Sequence, residues 1–271
     1  MEYLIYFIFG TLIGSFLNVV ILRIPKNESI VFGCSHCTSC QMPLKVWHNI
    51  PIISWMFLRG KCSFCKTKIS IQYPIIEIIS GLIFLSLASK YTLSFSLLSI
   101  FLSFLMLLAL SMIDFKYKMI PDSLNLLAIV FAIFGAWNLQ ALFINLQNAL
   151  LFAGGFTLLR FSLSYILTSS VQRQANKTIT PWTKNYQIYY MVEAMGEGDI
   201  MVAATMGALL GTPLALVAIF ISAVLALPVM LVLRNKSQEE QRVPFVPFLA
   251  LATFIVYIFD SHVLNYIKIN Y

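Results

Sequence analysis

Charge is what this chain has least of. Only 11% of its 271 residues are Asp, Glu, Lys or Arg, while 59% are hydrophobic. A soluble domain carries about 25% charged residues, so a water-soluble globular class is excluded and a polytopic membrane protein is implied. Histidine is scarcer still. The three copies, His36, His48 and His262, all fall outside the apolar runs. A serine nucleophile would find no histidine in a span to activate it, and the His-Glu-x-x-His pattern of zinc hydrolases is missing. No glycine-rich nucleotide-binding loop is visible. The first apolar run, Tyr3 to Leu22, has no basic segment ahead of it and no Ala-x-Ala-like cleavage site, so it reads as a retained span.

What is there in quantity is apolar sequence of spanning length. The runs predict an all-α polytopic membrane protein with about eight transmembrane helices, near 3–22, 75–89, 95–113, 123–142, 146–169, 199–211, 213–233 and 244–260. The second and sixth look short. The chain divides into a first transmembrane helix (1–22), a polar loop domain (23–74) and a membrane domain (75–271). An aromatic content of 14% suits belts at the two membrane interfaces.

The net charge of +7 would suggest a nucleic-acid partner in a soluble protein. Here it follows from topology, and the expected surroundings are the lipid bilayer rather than nucleic acid. With the N-terminus outside, loop 23–74 is cytoplasmic and holds Arg23, Lys26, Lys45, Arg59, Lys61, Lys66 and Lys68. Lys116 and Lys118 follow in the next cytoplasmic turn, then Arg173, Lys177 and Lys184, then Arg234, Lys236 and Arg242. That places fifteen of the eighteen Lys and Arg on one side, as the positive-inside rule requires. Lys90 and Lys268 fall outside, and Arg160 sits within the fifth span.

The loop domain contains a short repeat. Cys37-Thr38-Ser39-Cys40 is followed by Gln41-Met42-Pro43-Leu44, and Cys62-Ser63-Phe64-Cys65 by Lys66-Thr67-Lys68-Ile69. Two Cys-x-x-Cys knuckles can each give two thiolates to one tetrahedral Zn2+. A loop this small has little core of its own, so the metal would supply its folding energy. Cys34 permits a shifted pairing, although only Cys37 and Cys40 precede the matching turn. His36 and His48 are further candidate ligands, but four thiolates suffice.

Two acids stand apart. Asp114 ends the third span on the cytoplasmic side, where the helix dipole disfavours a negative charge; the plainer reading pairs it with Lys116 or Lys118. Asp199 opens the sixth span inside Gly196-Glu197-Gly198-Asp199, and its plainer reading is a helix cap. Gly196 and Gly198 allow a sharp turn and close backbone approach. Asp122, next to Pro121, reads as a helix-start residue. The topology puts Asp114 and Asp199 at the same end of their helices. Two close carboxylates share a proton, one serving as base towards water and the other as acid, which hydrolyses an amide without a nucleophilic side chain.

These motifs, in this order, resemble the type IV prepilin leader peptidases, a family of Gly-x-Gly-Asp membrane aspartyl proteases. The similarity includes Gly14-Ser15-Phe16-Leu17-Asn18 with Arg23-Ile24-Pro25, and the two cysteine knuckles. Between the knuckles it includes Asn49-Ile50-Pro51 and Arg59-Gly60-Lys61. Further along, Tyr73-Pro74-Ile75-Ile76-Glu77, Asp114 with Ile120-Pro121-Asp122, the Gly-x-Gly-Asp stretch and Val243-Pro244-Phe245-Val246-Pro247 all follow the family pattern. Met201 departs from it, since the family often has lysine there. The resemblance implies an inner-membrane, multi-pass endopeptidase that removes the leader of type IV prepilins and pseudopilins at the cytoplasmic side, with Asp114 and Asp199 as the aspartyl pair. It also implies N-methylation of the new terminus from S-adenosylmethionine. Glu77 is a candidate for substrate or methyl-donor binding, or else a buried partner for a loop Lys or Arg. Loop 170–197, with Pro181, Trp182, Tyr186, Tyr189 and Tyr190, reads as a lid, an interfacial segment or a plain surface loop. The competing reading is a proton-coupled transporter or scaffold with a zinc-stabilised loop; a transporter should show inverted repeats, and none is visible.

Overall fold

The computed structural model describes residues 2–33, 35–135, 139–178, 195–233 and 243–270. Cys34, most of loop 170–197 with its Pro181–Tyr190 cluster, and the 234–242 connection therefore lie outside the described residues. The described chain is helical: α1 (Glu2–Arg23), α2 (Ile53–Phe57), α3 (Gln72–Ala88), α4 (Phe95–Tyr117), α5 (Asp122–Ile133), α6 (Leu139–Thr178), α7 (Glu197–Leu233), α8 (Val246–Ile258) and α9 (Asp260–Asn270). Among these residues β-pairing is confined to two isolated bridges, His36 with Pro43 and Lys61 with Lys68, one in each cysteine knuckle.

Helices α1 and α3 pack closely because small residues let them. A Cβ at Gly10 would meet Gly81 at 2.8 Å, and one at Gly14 would meet the Ser80 side chain at 2.7 Å. The Ser80 hydroxyl donates to the Gly10 carbonyl at 2.6 Å. Between helices in lipid there is little hydrophobic drive, so close backbone approach and buried hydrogen bonds hold such pairs. Helix α4 is capped by Ser94, whose hydroxyl accepts from Leu97 N–H, and it runs through the core with Phe101, Leu105, Leu110 and Ile113 fully buried.

The apolar runs fold as helices, with different ends. The fourth stops at Ile133 rather than near 142, and Gly135 N–H closes it by bonding the Ala132 carbonyl. Helix α6 starts earlier and runs on to Thr178, since no proline interrupts it before Pro181. The sixth and seventh runs form the two arms of α7. Gly211 (φ 72°, ψ 173°) breaks the helix between them; positive φ carries no steric penalty for glycine. Among the described residues, four helices are long and apolar enough to cross a membrane, or five if α8 and α9, bent by 77°, form one span. Helix α5 and the first arm of α7, at 12 and 14 residues, reach only about 18 and 21 Å, short of a hydrocarbon core of about 30 Å.

Arg160 and Lys90, two of the cations set apart from the cytoplasmic loops, have partners. Arg160 Nη1 lies 2.8 Å from Glu197 Oε1, which accounts for a basic residue inside an apolar run. Lys90 Nζ pairs with Asp260 at 2.7 Å and donates to the Tyr257 carbonyl at 2.9 Å.

Candidate active site

Asp114 lies in the last turn of α4 and is 7% exposed. Its Oδ2 accepts from the backbone N–H of Val246, the first residue of α8, at 3.3 Å. The turn after α4 closes through Lys118 in the left-handed region, whose N–H bonds the Asp114 carbonyl. Ile120 and Pro121 then lead into α5, where Asp122 is exposed in the first turn, in keeping with its helix-start reading.

Asp199 is the third residue of α7. Its carboxylate faces the backbone of Gly196, the residue before the helix, as the third residue of a capping box does. Asp199 is therefore not the N-cap that its plainer reading made it, since the helix begins two residues earlier at Glu197, and it also lies within the electrostatic reach of Asp114. The two acids expected to meet are brought to one end of the bundle.

Two contacts with Gly198 hold this arrangement. A Cβ there would stand 2.6 Å from the Ile120 side chain, so the absence of a side chain lets the Gly-x-Gly-Asp turn lie on the α4–α5 turn. Asn125 Nδ2 donates to the Gly198 carbonyl at 3.1 Å. Asn125 is fully buried, and its Oδ1 has no partner. Only an amide nitrogen can donate to a carbonyl, so the amide orientation is fixed. Asn125 was not among the sequence candidates, and Ile120 and Val246 entered only as parts of family motifs without a role, because each acts through a contact distant in sequence.

Glu77 stands elsewhere. It is 6% exposed on α3, and its Oε2 accepts from Ile52 N–H in the loop domain at 2.7 Å. The Ser15 hydroxyl of α1 lies near its carboxylate. The observed loop partner is thus a backbone amide rather than a Lys or Arg. One helical turn away, Asn18 Nδ2 donates to the Tyr73 carbonyl at 3.2 Å, while Asn18 Oδ1 is buried without a donor.

The cysteines converge. The sulfurs of Cys37, Cys40, Cys62 and Cys65 all lie within 4.8 Å of one another, and Cys37 and Cys65 are 3.9 Å apart. A tetrahedral ion with Zn–S bonds of about 2.3 Å requires sulfurs about 3.8 Å apart, so the four thiols can hold such a metal ion. Their electrostatics agree. The Thr67 hydroxyl and amide hold the Cys65 thiol down at about 6. The amides of Cys40 and Ser39 lower Cys37. The Met42 amide pulls Cys40 down, but burial and the neighbouring sulfurs leave it pushed up to about 11. Four packed sulfurs resist being thiolates together unless a cation sits among them. His48 takes another part: its Nδ1 accepts from Lys45 N–H and its ring meets Phe64 edge-on. Among the described residues the metal-capable group contains no histidine.

Fold and site together define a helical membrane protein with two carboxylates gathered at one end of its bundle and a four-cysteine knuckle on a loop. Comparison with known proteins is specific. Residues 8–91 match the model for the Bacterial Peptidase A24 N-terminal domain, and residues 100–231 match that for the Type IV leader peptidase family. A prepilin leader peptidase/N-methyltransferase of Neisseria gonorrhoeae is 32% identical over 92% of this chain and 88% of its own length. Proteins of the same name from Stutzerimonas stutzeri and Pseudomonas putida are 30% and 29% identical, each over 94% of this chain and 90% of the relative. No solved structure matches. The chain belongs to the type IV leader peptidase family.

Proposed function

We propose that this protein removes the leader peptides of type IV prepilins and pseudopilins and N-methylates the new N-terminal residue, with Asp114 and Asp199 as the aspartyl pair on the cytoplasmic side of the inner membrane. The observation that carries the peptidase assignment is that a buried carboxylate at the end of α4 and a second in the first turn of α7 are held at one end of the bundle by the contacts of Gly198 with Asn125 and Ile120. Ionisable groups at such depth are retained for function. One carboxylate takes a proton from water, and the water oxygen bonds to the scissile carbonyl carbon. The other, protonated, donates to the carbonyl oxygen. The C–N bond then breaks, and the departing nitrogen takes up a proton. Gly198 seats the turn against Ile120, and Gly196 leaves the backbone ahead of Asp199 without a side chain, so that an extended peptide can approach there.

The cysteine knuckle fits structural zinc, closed by four thiolates and leaving no ligand position for catalysis. The methyl donor, S-adenosylmethionine, supplies an electrophilic methyl on a cationic sulfur. The region around Glu77 fits a cationic group, because a buried carboxylate and the orphan Asn18 oxygen concentrate acceptors there. Glu77 would bind and orient; its contact with Ile52 ties that region to the loop domain 23–74.

The test is co-expression with a type IV prepilin, followed by mass spectrometry of the pilin N-terminus. Leader removal and a mass gain of one methyl group are expected from the unmodified protein, and uncut pilin from Asp114→Asn or Asp199→Asn. Full cleavage by both variants would refute the aspartyl pair.

A further inference from the structure

A loop that joins two membrane helices would be expected to stand clear of the bilayer, but here part of it descends alongside them to reach Glu77. Helices α1 and α3 run antiparallel, with Asn18 against Tyr73, Gly14 against Glu77 and Gly10 against Gly81. Ile52 of the loop is hydrogen-bonded to Glu77. Glu77 lies five residues inside α3, and Gly14 nine residues before the end of α1. At 1.5 Å per residue, the Glu77 backbone lies about 7.5 Å below the start of α3 and about 13.5 Å below the end of α1, and its carboxylate, leaning towards the start of α3, holds Ile52 below both helix ends.

The backbone there suits a place without water. Ile52 has φ 61° and ψ −52°, the centre of a γ-turn closed by Ile53 N–H on the Pro51 carbonyl at 2.5 Å. That conformation is rare and strained for a β-branched residue. Most of the segment's amides are taken within the chain: Ile52 N–H by Glu77, Ser54 N–H by Ile50, Met56 N–H by Ile52, Leu58 N–H by Ser54 and Arg59 N–H by Met56. Chain at membrane depth must satisfy its polar backbone internally.

The side chains complete the pattern. Ile53, Met56 and Phe57 share one face of α2 by their spacing and are 52%, 65% and 83% exposed. The exposed Arg59 and Lys61 follow directly. Apolar side chains at acyl depth with cations at the headgroup level fit an anionic lipid leaflet.

We propose that residues 51–61 form a re-entrant lipid anchor, in which Ile53, Met56 and Phe57 insert into the near leaflet while Arg59 and Lys61 bind lipid phosphate. The anchor fixes the cysteine knuckle against the membrane surface. It does not depend on the aspartyl pair or on the methyl-transfer assignment.

The test is photocrosslinking of the full chain in proteoliposomes containing phosphatidylglycerol, with benzoylphenylalanine placed singly at Phe57, at Met56 and, as a control, at Phe64 in the second knuckle. Phospholipid adducts at 57 and 56 several-fold above those at 64 are the expected result. Equal lipid labelling at all three positions overturns the anchor. So does dominant crosslinking of 57 and 56 to a second copy of the chain or to co-reconstituted prepilin. Using two positions keeps the test decisive if one variant fails to accumulate, and leader cleavage in the same vesicles reports separately on the active site.

Discussion

Asn125 and Gly198 are joined by one hydrogen bond of 3.1 Å across 73 residues of sequence. The bond connects α5, which follows the Asp114 turn, to the residue immediately before Asp199. Asn125→Ala would leave a Gly198 carbonyl without its donor, at a cost of about 1–3 kcal/mol. The expected kinetic effect is larger than the loss of stability suggests, because a misplacement of about 1 Å in a catalytic group can cost about 100-fold in rate. Prepilin cleavage should show a fall in kcat with KM little changed. A variant with unchanged kcat would show that Asn125 does not position the pair.

Gly198 and Ile120 make a second, independent prediction. A Cβ at position 198 would overlap the Ile120 side chain, and overpacking of this kind costs about 1–3 kcal/mol. Gly198→Ala should reduce cleavage more than it lowers the thermal midpoint of the purified protein. The double variant Gly198→Ala with Ile120→Ala should recover part of the activity, the coupling expected of touching residues. Absence of recovery would mean that the glycine is needed for backbone freedom or substrate approach rather than for packing against Ile120.

The difference between these residues and the aspartates is also the difference between what can and cannot be read from sequence. Asp114 and Asp199 are costly acids at helix ends, and counting basic residues placed them at the same end. The four cysteines announce themselves by spacing. The Gly211-Thr212-Pro213 break divides α7 where the sequence divides it. Asn125, by contrast, is an ordinary polar residue in the first turns of a helix until α7 packs against it. Glu77 is legible as an odd acid, but its partner, the Ile52 amide, follows from a γ-turn that an isoleucine would not be assigned. Helix ends depended on closures such as Gly135 on Ala132, so α5 proved shorter and α6 longer than hydropathy suggested.

The cysteine knuckle should behave as a metal-dependent fold. One zinc per chain is expected by elemental analysis. Cys62, the buried member of the four, should be the most costly to replace. Cys62→Ser should lower zinc content and expose the 23–74 region to limited proteolysis, as should prolonged chelation of the unmodified protein. On this assignment the sulfurs would supply the folding energy of this region through the metal, so restored zinc should restore protease resistance to the chelated protein but not to the variant. Zinc-free protein with an intact, protease-resistant loop would overturn the assignment.

Lys90 offers the opposite case, a charged cluster that should matter for stability and not for chemistry. Its ammonium reaches Asp260 and the Tyr257 carbonyl and lies over the rings of Tyr91 and Tyr257 at 5.7 and 5.4 Å. It thereby ties the end of α3 to the corner between α8 and α9, whereas Asp114 meets α8 at its beginning. Lys90→Met keeps the length of the side chain but removes the charge, leaving a half-buried Asp260 and a carbonyl without their donor. A loss of about 1–3 kcal/mol follows, visible as a lower thermal midpoint in detergent. Prepilin cleavage at low temperature should be unaffected, since the lost contacts lie at the far end of α8. A selective fall in kcat with unchanged stability would instead reveal coupling along α8 from Lys90 to the Val246 amide that holds Asp114.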